Sequence, residues 1–188
     1  MIKTVFLDLD DVLADFMKGL HKALNISYDY SNYPYRKGDW DILGHQIMLN
    51  GELVTFEQCN ACCNTIFWID LGWTCDGHEI LRAILDIFDA NQIYLLTAPM
   101  PNLETASGKM MWVHENLPVC LKNTIITQAP KHLLARPDTL LIDDKDQNID
   151  EFREAGGQGI LVPRPWNRDY GMASHTVEVI KECLENLT

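Results

Sequence analysis

The chain has 188 residues and a formal net charge of −12. A surface this acidic argues against a protein that coats duplex nucleic acid, which needs Lys and Arg set against phosphates. No apolar stretch approaches the roughly 20 residues that span a bilayer. The strand-like N-terminus carries neither a charged n-region nor a small-residue cleavage site, so the expectation is a cytoplasmic protein with no membrane partner.

The first element is a strand over residues 3–8, where Val5-Phe6-Leu7 is a continuous apolar run. A helix is expected over 13–25, with Leu13, Phe16, Met17, Leu20 and Leu24 at helical spacing. Residues 27–39 are rich in Tyr, Asn, Pro and Gly and read as a loop. Residues 41–49 and 55–66 read as helical, the second with Thr55 as N-cap and Glu57 and Gln58 in its first turn. Residues 67–77, FWIDLGWTCDG, read as a connector.

After Gly77 helices and strands alternate. The expected order is helix 78–90, strand 93–97, helix 105–116, strand 124–127, strand 139–142, helix 147–155 stopping at Gly156-Gly157, strand 159–162 and a last helix over 174–187. Such alternation predicts an α/β fold, a Rossmann-like parallel sheet with helices on both faces. The helical, aromatic segment that interrupts it directly after strand 1 reads as a small cap. The expected division is a core of 1–14 and 76–188 with a cap of 15–75.

The six Cys are read as thiols in a reducing compartment. Cys59-x2-Cys62 and Cys75-x2-His78 have the spacing of a structural zinc site, set against a Cys-rich helix followed by a loop. The apolar segment between the pairs favours the second reading. The six His do not cluster in sequence, and no Gly-rich P-loop is present.

Three predicted strands end in polar residues of related chemistry. The first ends in Asp8-x-Asp10, the second in Thr97-Ala98-Pro99, and the TLLI strand in Asp143-Asp144, with Lys131 in the loop before it. In a parallel sheet these ends share one edge, where ligands bind. One carboxylate can form an aspartyl-phosphate, and a second can protonate a leaving oxygen and then activate water. A hydroxyl and a Lys can hold phosphoryl oxygens, and further carboxylates can hold Mg2+.

Asp8-Leu9-Asp10-Asp11-Val12-Leu13, Thr97, Lys131 and Asp143-Asp144 resemble, in order, the four motifs of the haloacid dehalogenase superfamily. DLDDVLADF, FWIDLGWTCDG, LLTAP, LLIDD and PRPWN are similar to segments of the 5'(3')-deoxyribonucleotidase family, over about residues 4–167. The resemblance implies Asp8 as nucleophile and Asp10 as general acid/base, with its backbone carbonyl reaching Mg2+. Thr97 and Lys131 would bind the phosphoryl group, joined by the Ala98 position and by Lys109, which matches a position that can face phosphate. Asp143 would be a direct Mg2+ ligand, and Asp144 a direct or water-mediated one. Phe16 and Trp40 would contribute to a nucleoside pocket on the cap side.

Two departures stand out. Asp11 occupies a position where relatives commonly have Gly, and Ala98 one where they often have Ser. The implied function is a Mg2+-dependent phosphomonoesterase acting on (deoxy)nucleoside monophosphates. Its expected partner is a small nucleotide rather than a nucleic-acid polymer, with the oligomeric state left open. The same chemistry on another small phosphate ester, or a non-catalytic nucleotide-binding module, are the alternatives.

Overall fold

A computed structural model describes residues 1–187; residue 188, the last of the expected core range, lies outside the described residues. The first strand, β1 (Thr4–Leu7), is central in a five-stranded parallel sheet. It is followed by α1 (Phe16–Ala23), the short hairpin β2 (Met48–Leu49) and β3 (Glu52–Leu53), and the helices α2 (Phe56–Cys62) and α3 (Thr65–Ile69). The alternating half then runs α4 (Gly77–Leu85), β4 (Ile93–Thr97), α5 (Glu104–Asn116), β5 (Thr124–Ile126), β6 (Thr139–Asp143), α6 (Asp146–Glu154), β7 (Gln158–Leu161) and α7 (Thr176–Glu185). The sheet order is β5-β4-β1-β6-β7.

The strand pattern explains the layers. Successive side chains point to opposite faces. Val5, Leu7, Leu95, Leu140, Ile142 and Ile160 join one large cluster with Ile80 and Ile84 of α4 and Ile180 and Leu184 of α7. Phe6, Leu96, Leu141 and Leu161 turn the other way, onto Ile149 and Phe152 of α6. Strands covered on both faces need near-continuous apolar runs, which is what Val5-Phe6-Leu7 and Leu140-Leu141-Ile142 supply. Phe67, Trp68 and Leu71, from the segment between β1 and α4, belong to the same large cluster as the sheet. No helix among the described residues is long and apolar enough to cross a membrane.

The region after β1 departs from expectation in three places. The first helix begins at Phe16, not at 13, because residues 9–14 fold into a tight loop. Leu13 N and Ala14 N both donate to Leu9 O (2.9 Å each), and Asp11 N donates to Ala14 O (2.7 Å). Asp11 takes a left-handed φ of 55° in this loop. The strain of such a residue is about 1–2 kcal/mol, and it is partly offset by Asp11 Oδ1 accepting from Met17 N (2.9 Å) at the start of α1.

The helix expected over 41–49 does not form. Gly44 has a φ of 79°, and Asn50-Gly51, with φ of 52° and 85°, closes a hairpin that pairs Leu49 with Glu52 and Met48 with Leu53. A two-residue Asn-Gly loop matches the twist of antiparallel strands, and that local preference overrides the helical spacing of Ile42, Leu43 and Ile47. The helix expected over 55–66 is two helices. Thr55 and Gln58 form a reciprocal cap at the first, and Asn64 Oδ1 accepts from Phe67 N (2.9 Å) to start the second. Asn is a strong N-cap and a poor helix interior residue, so the chain breaks there. The expected connector at 67–77 accordingly begins inside α3.

Candidate active site

The sheet brings the polar strand ends to one edge. Leu7 pairs with Ile142 and with Leu95, and Asp8 N donates to Ile142 O (2.9 Å), which sets Asp8 beside Asp143. One oxygen from each of Asp8, Asp143 and Asp144 falls within 4.8 Å of the others, and all three residues are buried. No second such group of His, Cys, Asp or Glu forms among the described residues, so Cys59, Cys62, Cys75 and His78 are not gathered into a site. His78 instead stacks on Trp73 with ring centroids 3.9 Å apart.

Lys131, on a single 3-10 turn after Pro130, sends Nζ to Asp8 Oδ1 and to Asp143 Oδ2 at 2.6 Å each. Burial works against its charge, but Asp143 and Asp8 outweigh that and hold it above the ordinary lysine range. One cation does not balance three buried carboxylates. Burial pushes the Asp8 carboxyl up to about 7, against the pull of Lys131 and with further lifts from Asp143 and Asp10. Asp144 is pushed well above the carboxylate range by burial and then by Asp143 and Asp8. An all-oxygen donor set with surplus negative charge fits a hard divalent cation such as Mg2+.

Asp143 is further fixed by Lys145 N (2.8 Å) at Oδ1 and Asn148 Nδ2 (2.9 Å) at Oδ2. The Pro163–Asn167 loop, at the end of β7, braces the same edge. Trp166 Nε1 donates to Asp144 Oδ2 (2.7 Å), and Asn167 Nδ2 to Asp144 O (2.8 Å). Arg164 Nε donates to Asp11 O (2.7 Å), while its two terminal nitrogens clamp Asp76 at 2.6 and 2.9 Å. In the sequence Arg164 and Trp166 stand only as part of the PRPWN segment, and neither they nor Asn148 carry an expected role. Their position past the end of a strand in the same parallel sheet is the signal that marks them.

A cavity of about 380 Å³ opens above this edge. Asp8, Asp10, Ala98, Lys131, Asp143 and Asp144 line it from the sheet side, and Phe16, Trp40, Ile42 and Trp68 from the insert. Phe16 stacks on Trp68 with centroids 5.5 Å apart and planes 19° from parallel. Trp40 stays 40% exposed at the mouth, with Lys145 Nζ 5.4 Å from its ring centroid. Volume and lining are those of a small-molecule site, with one aromatic wall and one charged floor.

Thr97 and Lys109 are fully buried and are not among the residues that line the cavity. Lys109 Nζ donates to Thr97 Oγ1 (2.8 Å) and Ala98 O (2.6 Å) and forms an ion pair with Asp10 Oδ2. Asp10 Oδ1 is buried without a hydrogen-bond partner.

The fold that carries this edge is also met in solved structures. The fold matches the HAD-hydrolase YfnB of Bacillus subtilis, solved with magnesium, at 12% identity and a TM-score of 0.51, over 86% of each chain. It matches a HAD family hydrolase of Deinococcus radiodurans, solved with phosphate and sodium, at 14% identity and 0.52, over 93% of this chain and 88% of that one. It also matches a haloacid dehalogenase-like hydrolase of Streptococcus pneumoniae at 13% and 0.52, over 100% and 99%. At these identities the likeness is one of fold. No curated protein matches the chain. The model of the 5' nucleotidase, deoxy (pyrimidine), cytosolic type C proteins matches residues 1–179. The chain belongs to that family and is a hydrolase of the 5'-nucleotidase-like phosphatase kind.

Proposed function

We propose that the chain is a Mg2+-dependent phosphomonoesterase that dephosphorylates (deoxy)nucleoside monophosphates through an aspartyl-phosphate on Asp8. One observation supports this most: Lys131 bridges Asp8 and Asp143 in a cavity that the Phe16–Trp68 aromatic stack also lines. The floor suits a phosphoryl group, and the wall suits a flat apolar ring.

In the first half-reaction an Asp8 oxygen bonds to phosphorus while the bond from phosphorus to the sugar oxygen breaks. Asp10 gives its proton to that departing oxygen. In the second half, water attacks phosphorus, Asp10 takes the water's proton, and the bond to Asp8 breaks to release phosphate and restore the carboxylate. Lys131 stabilises the phosphoryl oxygens from the cavity lining. Thr97, buried outside that lining with Oγ1 accepting from Lys109, would join it only by turning its hydroxyl hydrogen toward the phosphoryl group. Asp8, Asp143 and Asp144, with the Asp10 backbone carbonyl, would hold Mg2+, which supplies positive charge against the carboxylates and the phosphoryl oxygens. The magnesium of the YfnB structure supports that choice of ion. The segment 15–75 acts as the cap over the core of 1–14 and 76–188, and Phe16 and Trp40 contact the nucleoside. The family's cytosolic type supports a cytoplasmic location.

The test is Asp8→Asn with a nucleoside monophosphate and Mg2+. Phosphate release is expected to fall at least about 10³-fold; retained release contradicts the mechanism. A panel of phosphate esters tests the substrate class, since rates indifferent to the base and sugar contradict a nucleoside pocket.

A further inference from the structure

Lys109 lies on α5 with no exposed surface, and its ammonium has three donors to give. All three are committed, to Asp10 Oδ2, Thr97 Oγ1 (2.8 Å) and Ala98 O (2.6 Å). A fourth contact is the face of Trp68, whose ring centroid is 4.5 Å from Nζ. Binding a phosphoryl oxygen would require breaking one of these bonds.

We propose that Lys109 is a positioning residue for the acid/base step and not a phosphate ligand. The inference rests on the assignment of Asp10 to proton transfer made above. Lys109 holds one oxygen of Asp10 and leaves the other, Oδ1, as the oxygen that exchanges a proton with the leaving group, in keeping with that atom's lack of a partner. The same ammonium donates to Thr97 Oγ1, so the hydroxyl hydrogen of Thr97 is free to turn to another acceptor.

The contact with Trp68 extends this hold to the insert. Trp68 is the cavity-wall ring that stacks on Phe16, so one buried cation ties the acid/base carboxylate to the aromatic wall. The close approach depends on Gly108, where an added Cβ would stand 2.6 Å from Trp68 Cβ and 3.0 Å from Thr65 O. α5 and α3 can meet here only because that position lacks a side chain.

The test compares two esters that differ in leaving group. A nucleoside monophosphate releases an alkoxide-like oxygen that needs a proton, whereas p-nitrophenyl phosphate releases a phenolate that does not. For Lys109→Met, kcat on the nucleotide is expected to fall about 10²- to 10³-fold, with KM within about threefold. On p-nitrophenyl phosphate the first turnover, read as the burst of p-nitrophenolate before the aspartyl-phosphate is hydrolysed, is expected to slow less than about tenfold, with inhibition by inorganic phosphate unchanged within about threefold. On the nucleotide the first turnover slows as much as kcat. Hydrolysis of the aspartyl-phosphate slows alike on both esters, because Asp10 also activates the water. Equal slowing of the first turnover on both esters, or weaker phosphate inhibition, overturns the proposal.

The double variant Asp10→Asn/Lys109→Met removes both charges of the pair, and its comparison with Asp10→Asn stands even where the single Lys variant does not fold. The two are expected to agree within about threefold on the nucleotide. A further tenfold loss in the double variant overturns the proposal, because Lys109 would then act independently of Asp10. Nucleotide turnover retained by Asp8→Asn would instead contradict the reading on which the inference rests.

Discussion

The edge of the sheet and the insert that faces it hold their cavity-lining side chains by different means. At the edge, backbone pairing does the work: Leu7 against Ile142 and Leu95 sets Asp8 beside Asp143, and Lys131 closes the group with two bonds of 2.6 Å. In the insert no extended ladder exists, only a two-residue hairpin and helices of five to eight residues. Its cavity residues are held by packing, as in the Phe16–Trp68 stack, and by hydrogen bonds such as Trp68 Nε1 to Cys63 O (3.1 Å). A floor built on strand ends is rigid and charged, and a wall built from short packed helices can vary in shape without disturbing it.

This contrast predicts unequal consequences of substitution, the largest at the floor. Lys131→Met leaves Asp8 and Asp143 without their cation. In metal-free protein it is expected to cost about 3–5 kcal/mol of stability, the typical effect of breaking a buried pair. In the presence of Mg2+, kcat is expected to fall about 10²- to 10³-fold. Denaturant melts and steady-state rates check both. A change in nucleotide KM with kcat preserved would place the work of Lys131 in binding alone.

A second expectation concerns the surplus charge of the floor. Asp8 and Asp144 are raised in the folded protein, so the native state binds more protons than the unfolded one between the unperturbed carboxylate range and about pH 7. Metal-free stability should therefore fall as pH rises through that window. A cation that binds the ionised carboxylates should stabilise the protein more at pH 8 than at pH 5. At a hundredfold excess over Kd the gain is about 2.7 kcal/mol, or roughly 5–10 °C in Tm. Thermal melts at both pH values, with Mg2+ and with chelator, measure it; equal shifts at the two values would separate the cation from these carboxylates.

The smallest expected effect belongs to the wall. Trp40 is 40% exposed, and Trp40→Ala should leave the fold nearly untouched. Nucleotide KM should rise about three- to tenfold, and kcat on p-nitrophenyl phosphate should stay within about twofold. An equal effect on the two substrates would mean that Trp40 does not meet the nucleoside.

The same division explains what can be read from the sequence. Val5-Phe6-Leu7 and Leu140-Leu141-Ile142 are unbroken apolar runs, and parallel strands must present their ends on one edge, so Asp8, Asp143 and Asp144 converge by topology. The insert resists because its helices are too short for apolar spacing to decide, and their stability comes from tertiary packing. At 41–49 the spacing suggests a helix, while the Asn50-Gly51 pair just beyond it is the stronger local signal. Trp68 falls in the stretch that reads as a connector, and nothing in sequence ties it to Lys109, 41 positions away. Arg164 and Trp166 are hidden in a loop whose role depends on reaching Asp76, Asp11 and Asp144 across the edge. The Gly-to-Asp departure at Asp11 also gains a reason: the loop demands a left-handed residue, and the Asp side chain caps the start of α1.

Phosphoryl transfer through Asp8 leaves a covalent intermediate that can be trapped. The transfer is tested most directly by quenching the protein during turnover of a nucleoside monophosphate with Mg2+, reducing with borohydride, and mapping the products by mass spectrometry. Reduction converts an aspartyl-phosphate to homoserine, so homoserine is expected at position 8, dependent on both substrate and Mg2+ and absent when either is withheld. Homoserine at another aspartate, coupled with full turnover by Asp8→Asn, would contradict transfer through Asp8.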